Sequence, residues 1–151
     1  MTPVDPTIHA SAVLAGANAV LIRGPSGCGK SLLAWTLINA ASQGLLPFAR
    51  LVGDDRLHVM NQSGRLLVRP AEALYGLIEI HGLGIRRIEY ESVAVVGIVV
   101  DLAAPDAARH PADEAATASV SGVTLPRLAV AAGMAALPVV LAALRTSSAG
   151  D

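Results

Sequence analysis

The stretch that decides the fold is Ala19-Val20-Leu21-Ile22-Arg23-Gly24-Pro25-Ser26-Gly27-Cys28-Gly29-Lys30-Ser31-Leu32-Leu33-Ala34-Trp35. Ala19 to Ile22 is a short apolar run with Val and Ile, the composition of a buried strand. Gly24 to Gly29 is too rich in glycine for either regular element, and from Lys30 the run LLAWTLINAA has helix formers with broad apolar coverage. The octet Gly24 to Ser31 fits G-x-x-x-x-G-K-[ST], and a strand before it with a helix after it is the setting in which that pattern acts. Glycines let the backbone curl so that its N–H groups surround phosphate oxygens, and the helix N-terminus adds the positive end of its dipole. In this reading Gly24, Pro25, Ser26, Gly27, Cys28 and Gly29 cradle the phosphates of ATP, Lys30 holds the β and γ phosphates, and Ser31 ligates Mg²⁺. Cys28 stands at a variable position of the pattern and reads as a tolerated small residue rather than a redox switch.

Working outward, His9 to Leu14 reads as a preceding strand and Gly44 as the end of the helix. Arg50 to Gly53 reads as a second strand, with Asp54 and Asp55 at its C-terminal edge. That is where a nucleotide enzyme places carboxylates for metal or water. Adjacent side chains on an extended backbone point opposite ways, so one aspartate faces the phosphates while the other caps a turn or reaches Mg²⁺ through water. Leu57 to Met60, the turn Asn61-Gln62-Ser63-Gly64 and Arg65 to Val68 form a hairpin pattern, and Ile78 to Ile80 is a short strand before the turn Gly82-Leu83-Gly84. Val93 to Leu102, nearly all Val and Ile, is the strongest strand and is expected at the centre of the sheet. Ala103 to Gly122 reads as a surface loop with one short helix, and Val123 to Leu125 as a last strand. Pro138 is expected to divide or kink a closing helix, with residues 145–151 as a frayed tail. The alternation of elements gives a single α/β domain over residues 1–151, a P-loop kinase-like domain whose mixed central sheet is flanked by helices, without repeats.

Composition bounds the function. A chain of 151 residues that is 53% apolar and 15% charged has the makings of one real core and is not a disordered polymer. Eleven basic against twelve acidic residues leave no field for duplex nucleic acid. A lone cysteine forbids an internal disulfide or a Cys-rich zinc site. The N-terminal sequence lacks the basic and apolar regions of a secretory signal, which makes the cytoplasm the expected location. Leu128 to Leu144 is uncharged but rich in alanine and broken by Gly133 and Pro138, so it reads as a buried or interface helix rather than a membrane span.

Three separated segments resemble the catalytic domain of the HPr kinase/phosphorylase family. They are the loop GPSGCGKS, the strand Leu51-Val52-Gly53-Asp54-Asp55, and Ile78-Glu79-Ile80-His81-Gly82-Leu83-Gly84-Ile85. The last discriminates, because few phosphate-loop proteins combine the loop with an E-x-x-G-L-G-I segment about fifty residues later. The resemblance implies an ATP- and Mg²⁺-dependent kinase acting on a serine of an HPr-like phosphocarrier of the phosphotransferase system, with a second, phosphate-dependent dephosphorylation. It assigns His9 as a catalytic histidine, Asp55 as the acid/base with Asp54 as a neighbouring candidate, and Glu79 as the partner of Ser31 at Mg²⁺. Arg109 aligns with a catalytic arginine, and Arg127, in Leu125-Pro126-Arg127-Leu128-Ala129, with a shortened segment linked to dephosphorylation. His81 replaces an arginine and Ala10 a glycine of many members, and only eight residues precede His9, as in short forms of the family. The apolar C-terminal helix agrees with an oligomer, hexameric in the family. Two other readings stay open on the residues alone: a nucleotide-binding sensor without turnover, and a small-molecule P-loop kinase.

Overall fold

The computed structural model describes residues 6–149. β1 (Ser11–Ala15) and β2 (Asn18–Arg23) form a tight antiparallel hairpin that turns at Gly16, whose φ of 72° suits glycine. The phosphate-loop segment follows, and α1 (Lys30–Ser42) begins at the expected lysine. Gly44 closes it. The Gly44 amide bonds the Ala41 carbonyl at 3.0 Å and the Leu45 amide bonds that of Ala40 at 2.8 Å, a Schellman stop that satisfies carbonyls the helix leaves open.

β3 (Ala49–Gly53) pairs antiparallel with β1, and β8 (Ala94–Leu102) pairs parallel with β2. Between them in sequence lie the hairpin β4 (Leu57–Gln62) and β5 (Arg65–Pro70) and the ribbon β6 (Leu77–Ile80) and β7 (Gly84–Arg87). β9 (Thr117–Val120) and β10 (Val123–Val130) complete the edge, β10 parallel to β8. The mixed sheet runs β3-β1-β2-β8-β10-β9, with β5 joined to the first half of β8. The apolar Val93–Leu102 segment is thus central, as its composition implies.

Alternation divides the core into two faces. Val13, Val20, Ile22 and Val100 point to α1 and to α2 (Ala136–Arg145), meeting Leu33, Leu37 and Val140. Ala12, Leu21, Val96 and Val99 point the other way, to Leu57, Leu66 and Val68 of the β4–β5 hairpin. Both helices therefore cover one face and a hairpin the other. Val96 and Val99 share a face because the β2–β8 register slips, Ala19 facing Val96 and Val20 facing Ile98, which leaves Gly97 as an extra residue.

The C-terminal third departs from the reading of its sequence. The stretch expected as a loop contains a single helical turn at Asp113–Ala116 and then β9. The strand expected at Val123–Leu125 continues to Val130, because Arg127 to Val130 pair with Val99 to Leu102. The helix expected over Leu128–Leu144 accordingly begins only at Ala136. Pro138 is its third residue, in the first turn where no backbone N–H is required, so it neither divides nor kinks the helix. Among the described residues no helix is long and apolar enough to cross a membrane.

Candidate active site

Gly24 leaves β2 with φ 154°, and a Cβ there would lie 2.6 Å from Cys28 Sγ and 3.0 Å from the Leu102 carbonyl oxygen. Only glycine lets the loop pass so close to the end of β8. The Cys28 amide bonds the Pro25 carbonyl at 3.2 Å, which closes the loop on itself. Gly29 caps α1 at φ 99°, a left-handed conformation that turns the chain into the helix. Lys30 is buried. Its Nζ donates to the carbonyls of Gly24 at 2.9 Å and Pro25 at 3.2 Å, so its charge stands over the loop it serves.

Asp54, at the end of β3, is 3% exposed and collects three donors from three elements. The Ser31 hydroxyl lies 2.8 Å from both carboxylate oxygens, the Ser11 hydroxyl of β1 donates to Oδ1, and the Glu79 amide of β6 donates to Oδ2 at 3.1 Å. The last bond ties the β6–β7 ribbon to the loop and brings Glu79 to the cavity. Asp55 takes φ 72°, in the left-handed region that aspartate tolerates better than most residues. That twist sends its side chain outward, 60% exposed, where Oδ1 meets His9 Nε2 at 2.6 Å. The two aspartates do face different surroundings, but both lie beyond the end of β3, so the left-handed turn at Asp55 separates them and not the alternation of an extended strand.

A cavity of about 540 Å³ gathers Ser26, Gly27, Gly29, Lys30 and Ser31 from the loop and helix. His9, Asp55, Glu79, Ile80 and His81 line it from other segments, with Trp35 of α1. Asp54 sits behind Ser31, and Gly24 and Pro25 support Lys30 from the loop's base. The oxygens of Ser31, Asp54 and Glu79 are hard donors of the kind Mg²⁺ takes. Among the described residues no three His, Cys, Asp or Glu side chains cluster as a metal cage.

Arg109 and Arg127 are not brought to this cavity. Arg109 lies exposed in the segment between β8 and β9. Arg127 is half-buried within the sheet: Nε donates to Asp101 at 2.6 Å, and Nη1 and Nη2 reach Asp106 at 2.8 and 3.0 Å. Arg23 grips the other side of Asp101 at 2.8 and 2.9 Å. Burial pushes the Asp101 carboxyl up, but the bonds from Arg23 and Arg127 outweigh it and hold it below the usual carboxylate range. The Asp106 and Asp101 carboxylates likewise raise the affinity of Arg127 for its proton. Sequence reasoning missed Ser11. Its signal is a hydroxyl inside the fully buried run Ala10 to Val13, which must find a partner within the protein.

The model of the HPr serine kinase C-terminal domain family matches residues 5–134. The chain belongs to that family. Within this HPr serine kinase C-terminal domain chain, 77 residues are 38% identical to an HPr kinase/phosphorylase of Mycoplasma mycoides subsp. mycoides SC, covering 51% of the chain and 22% of that relative. The match therefore spans about a fifth of the relative's length. The fold is similar to that of the Hpr(Ser) kinase/phosphatase from Coxiella burnetii, with a TM-score of 0.71 over 93% of each chain at 24% identity.

Proposed function

We propose that the chain is an ATP- and Mg²⁺-dependent protein-serine kinase whose acceptor is a seryl hydroxyl of an HPr-like phosphocarrier protein. The observation that carries this reading is that the His9–Asp55 pair lines the same cavity as Lys30 and Ser31. A base and a phosphate cradle in one cavity can hold a hydroxyl in line with a phosphoryl group, and positioning of that kind supplies most of the catalysis in phosphoryl transfer. Asp55 accepts the seryl proton as the serine oxygen bonds the γ-phosphorus and the bond to the β-phosphate oxygen breaks, releasing ADP. His9 orients Asp55. Lys30 and the loop amides hold the phosphate oxygens, and Ser31 and Glu79 would hold Mg²⁺, with Asp54 accepting from Ser31 behind it. Bound there, Mg²⁺ would offset the charge on the transferring group.

Dephosphorylation by inorganic phosphate belongs to the same proposal: that anion can take the place of the β-phosphate in the cradle and bond the phosphoseryl phosphorus as the bond to the seryl oxygen breaks, releasing pyrophosphate while protonated Asp55 returns the proton to the serine. Arg127 is held by Asp101 and Asp106 within its own chain, whereas Arg109 is exposed away from the cavity, and the hexamer expected from the family is the arrangement in which a neighbour's Arg109 segment could reach it. The mass in solution tests the oligomer, a monomer contradicting it. The kinase is tested by incubating labelled Mg·ATP with a serine-phosphorylatable HPr and the native protein or Asp55→Asn. Label on the carrier with the native protein alone supports both acceptor and base. ATP binding without labelling by the native protein refutes the kinase and favours a sensor or another acceptor.

A further inference from the structure

The ribbon that delivers Glu79 stands apart from the main sheet. β6 and β7 pair with each other and not with the eight-stranded sheet. Ile78, 1% exposed, roots β6 in the core shared with α1, while Gly84–Arg87 is exposed along its whole length. The Glu79 amide touches the body at the Asp54 carboxylate. One bond of that kind fixes a point, and the direction of the strand needs a second hold. It lies at the base of the ribbon, where Tyr75 comes before the first leg and Tyr90 after the second. Their rings stack with centroids 5.6 Å apart and planes at 24°. Gly76 lies against this pair at φ 71°, where a Cβ would meet the Ile88 carbonyl oxygen at 2.9 Å and the Tyr90 ring at 3.0 Å. The Ile88 amide donates to the Gly76 carbonyl at 2.8 Å, which closes the two legs on each other.

Tyr90 is itself fixed to the strand that leads to the aspartates. It bridges Leu51 of β3, the Glu91 amide donates to the Leu51 carbonyl at 2.8 Å, and Arg50 Nη1 donates to Glu91 at 2.7 Å. The second leg is thus tied to β3 by backbone and by charge, whereas the first leg meets this tie through the Tyr75 ring and Gly76. Both rings are more than a third exposed, so burial alone does not account for their pairing. The stack therefore registers the arm that carries Glu79 on the same strand that ends beside Asp54. Glu79 lies three residues beyond Gly76, about 10 Å along an extended chain at about 3.3 Å per residue. A rotation of about 10° at the base carries that residue by about 1.7 Å, which the near-ideal octahedron of Mg²⁺, with oxygens at about 2.0–2.1 Å, does not tolerate.

We propose that Tyr75 and Tyr90 are positioning residues for the cation site, their stack setting the direction in which β6 leaves the body and so holding the Glu79 carboxylate at the cavity it shares with Ser31. The inference rests on the proposed reading of Ser31 and Glu79 as the residues that hold Mg²⁺. Its test is calorimetric titration of the whole chain with ATP in excess Mg²⁺ and, separately, with ATP in EDTA, the ratio of the two dissociation constants being the affinity that the cation adds. In the native protein that gain should be about tenfold or more, and Glu79→Gln should cut it to about twofold. Tyr90→Leu, which keeps apolar bulk and removes the stack, should cut it to about threefold, and Tyr75→Leu should do the same from the other ring. Tyr90→Phe, which keeps the ring, should keep the native gain. All three tyrosine variants should bind metal-free ATP as the native protein does, which also shows that they fold. In the Glu79→Gln background Tyr90→Leu should remove nothing further, because both changes act through one carboxylate. A native gain in both leucine variants, an equal loss with and without Mg²⁺, or a loss that adds to that of Glu79→Gln would overturn the positioning role and leave the cation site standing. If Glu79→Gln itself keeps the native gain, the reading of Glu79 fails and the role of the tyrosines fails with it.

Discussion

Replacing Asp54 by asparagine probes the joint on which the site is built. The carboxylate accepts from the Ser11 and Ser31 hydroxyls and the Glu79 amide, and it is almost wholly buried. Asparagine keeps one acceptor oxygen and turns the other into a donor. The two hydroxyls can rotate to accept from it, whereas the Glu79 N–H cannot, so at least one bond to the original Oδ2 is lost or remade. Hydrogen bonds to charged groups contribute about 1.5–3 kcal/mol each, and removing a buried charge returns part of its desolvation cost. The expected loss is therefore about 1–3 kcal/mol, against a total of about 5–15 kcal/mol for a domain, so the variant stays folded. At about 2–4 °C per kcal/mol for a chain of this size, Tm should fall by about 2–12 °C. Urea titration at constant m measures it. Combining Asp54→Asn with Ser11→Ala should reveal a coupling of about 0.5–3 kcal/mol, since both act on one bond. An Asp54→Asn protein within about 0.5 kcal/mol of native, with no coupling to Ser11, would refute the assignment of Asp54 as the joint.

Three further outcomes are expected. His9→Gln and Asp55→Asn should each lower kcat for phosphotransfer by about 10²–10⁴ while leaving KM for ATP nearly unchanged; a rise in KM alone would place the pair in binding instead. Gly24→Ala, whose new methyl meets both Cys28 and the Leu102 carbonyl, should cost about 1–3 kcal/mol, and adding Cys28→Ala should restore only part of it, because the backbone contact remains. Arg127→Met should destabilise the fold at pH 7 by about 1–3 kcal/mol. Asp101 titrates below its usual value in the native protein, so its contribution is fully present above about 3.9, the ordinary carboxylate pKa, and is lost as pH falls through the lower folded value. The difference between native and Arg127→Met should therefore shrink below about pH 4, and denaturant midpoints equal in separation at pH 7 and pH 3 would overturn the ion-pair account.

Elements whose sequence carries its own reason were legible in the chain. The glycine-rich loop, the helix that starts at Lys30, the apolar β8 and the hairpin around Asn61 to Gly64 all lie where local composition places them. β7 and β9 were not, and their residues explain it: Gly84 to Arg87 is exposed throughout, and Thr117 to Val120 has one fully buried side chain, so neither shows the alternation of a half-buried strand. The error at the C-terminus has a different origin. Leu128 to Leu144 is apolar in both of the states it adopts, strand and then helix, and only the parallel pairing with β8 decides where one ends. That pairing is non-local, and no window of sequence contains it.

In the site, the phosphate loop and the aspartate pair could be read from spacing, but their coupling could not. Asp54 joins residues 43, 23 and 25 positions away, from β1, α1 and β6. Each of these bonds crosses between elements, and each donor alone is an ordinary serine or backbone amide. Their convergence on one buried carboxylate means that Ser31 and the strand carrying Glu79 share a single anchor. A shift of β6 must then be felt by the loop serine, because the two share the oxygens of one almost wholly buried group. Asp55, one residue on, escapes this constraint through its left-handed backbone and keeps Oδ2 without a protein partner among the described residues. The division is what the proposed kinase chemistry asks for: a fixed carboxylate behind the serine that would hold the cation, and a carboxylate oxygen left open beside the His9 pair for an incoming hydroxyl.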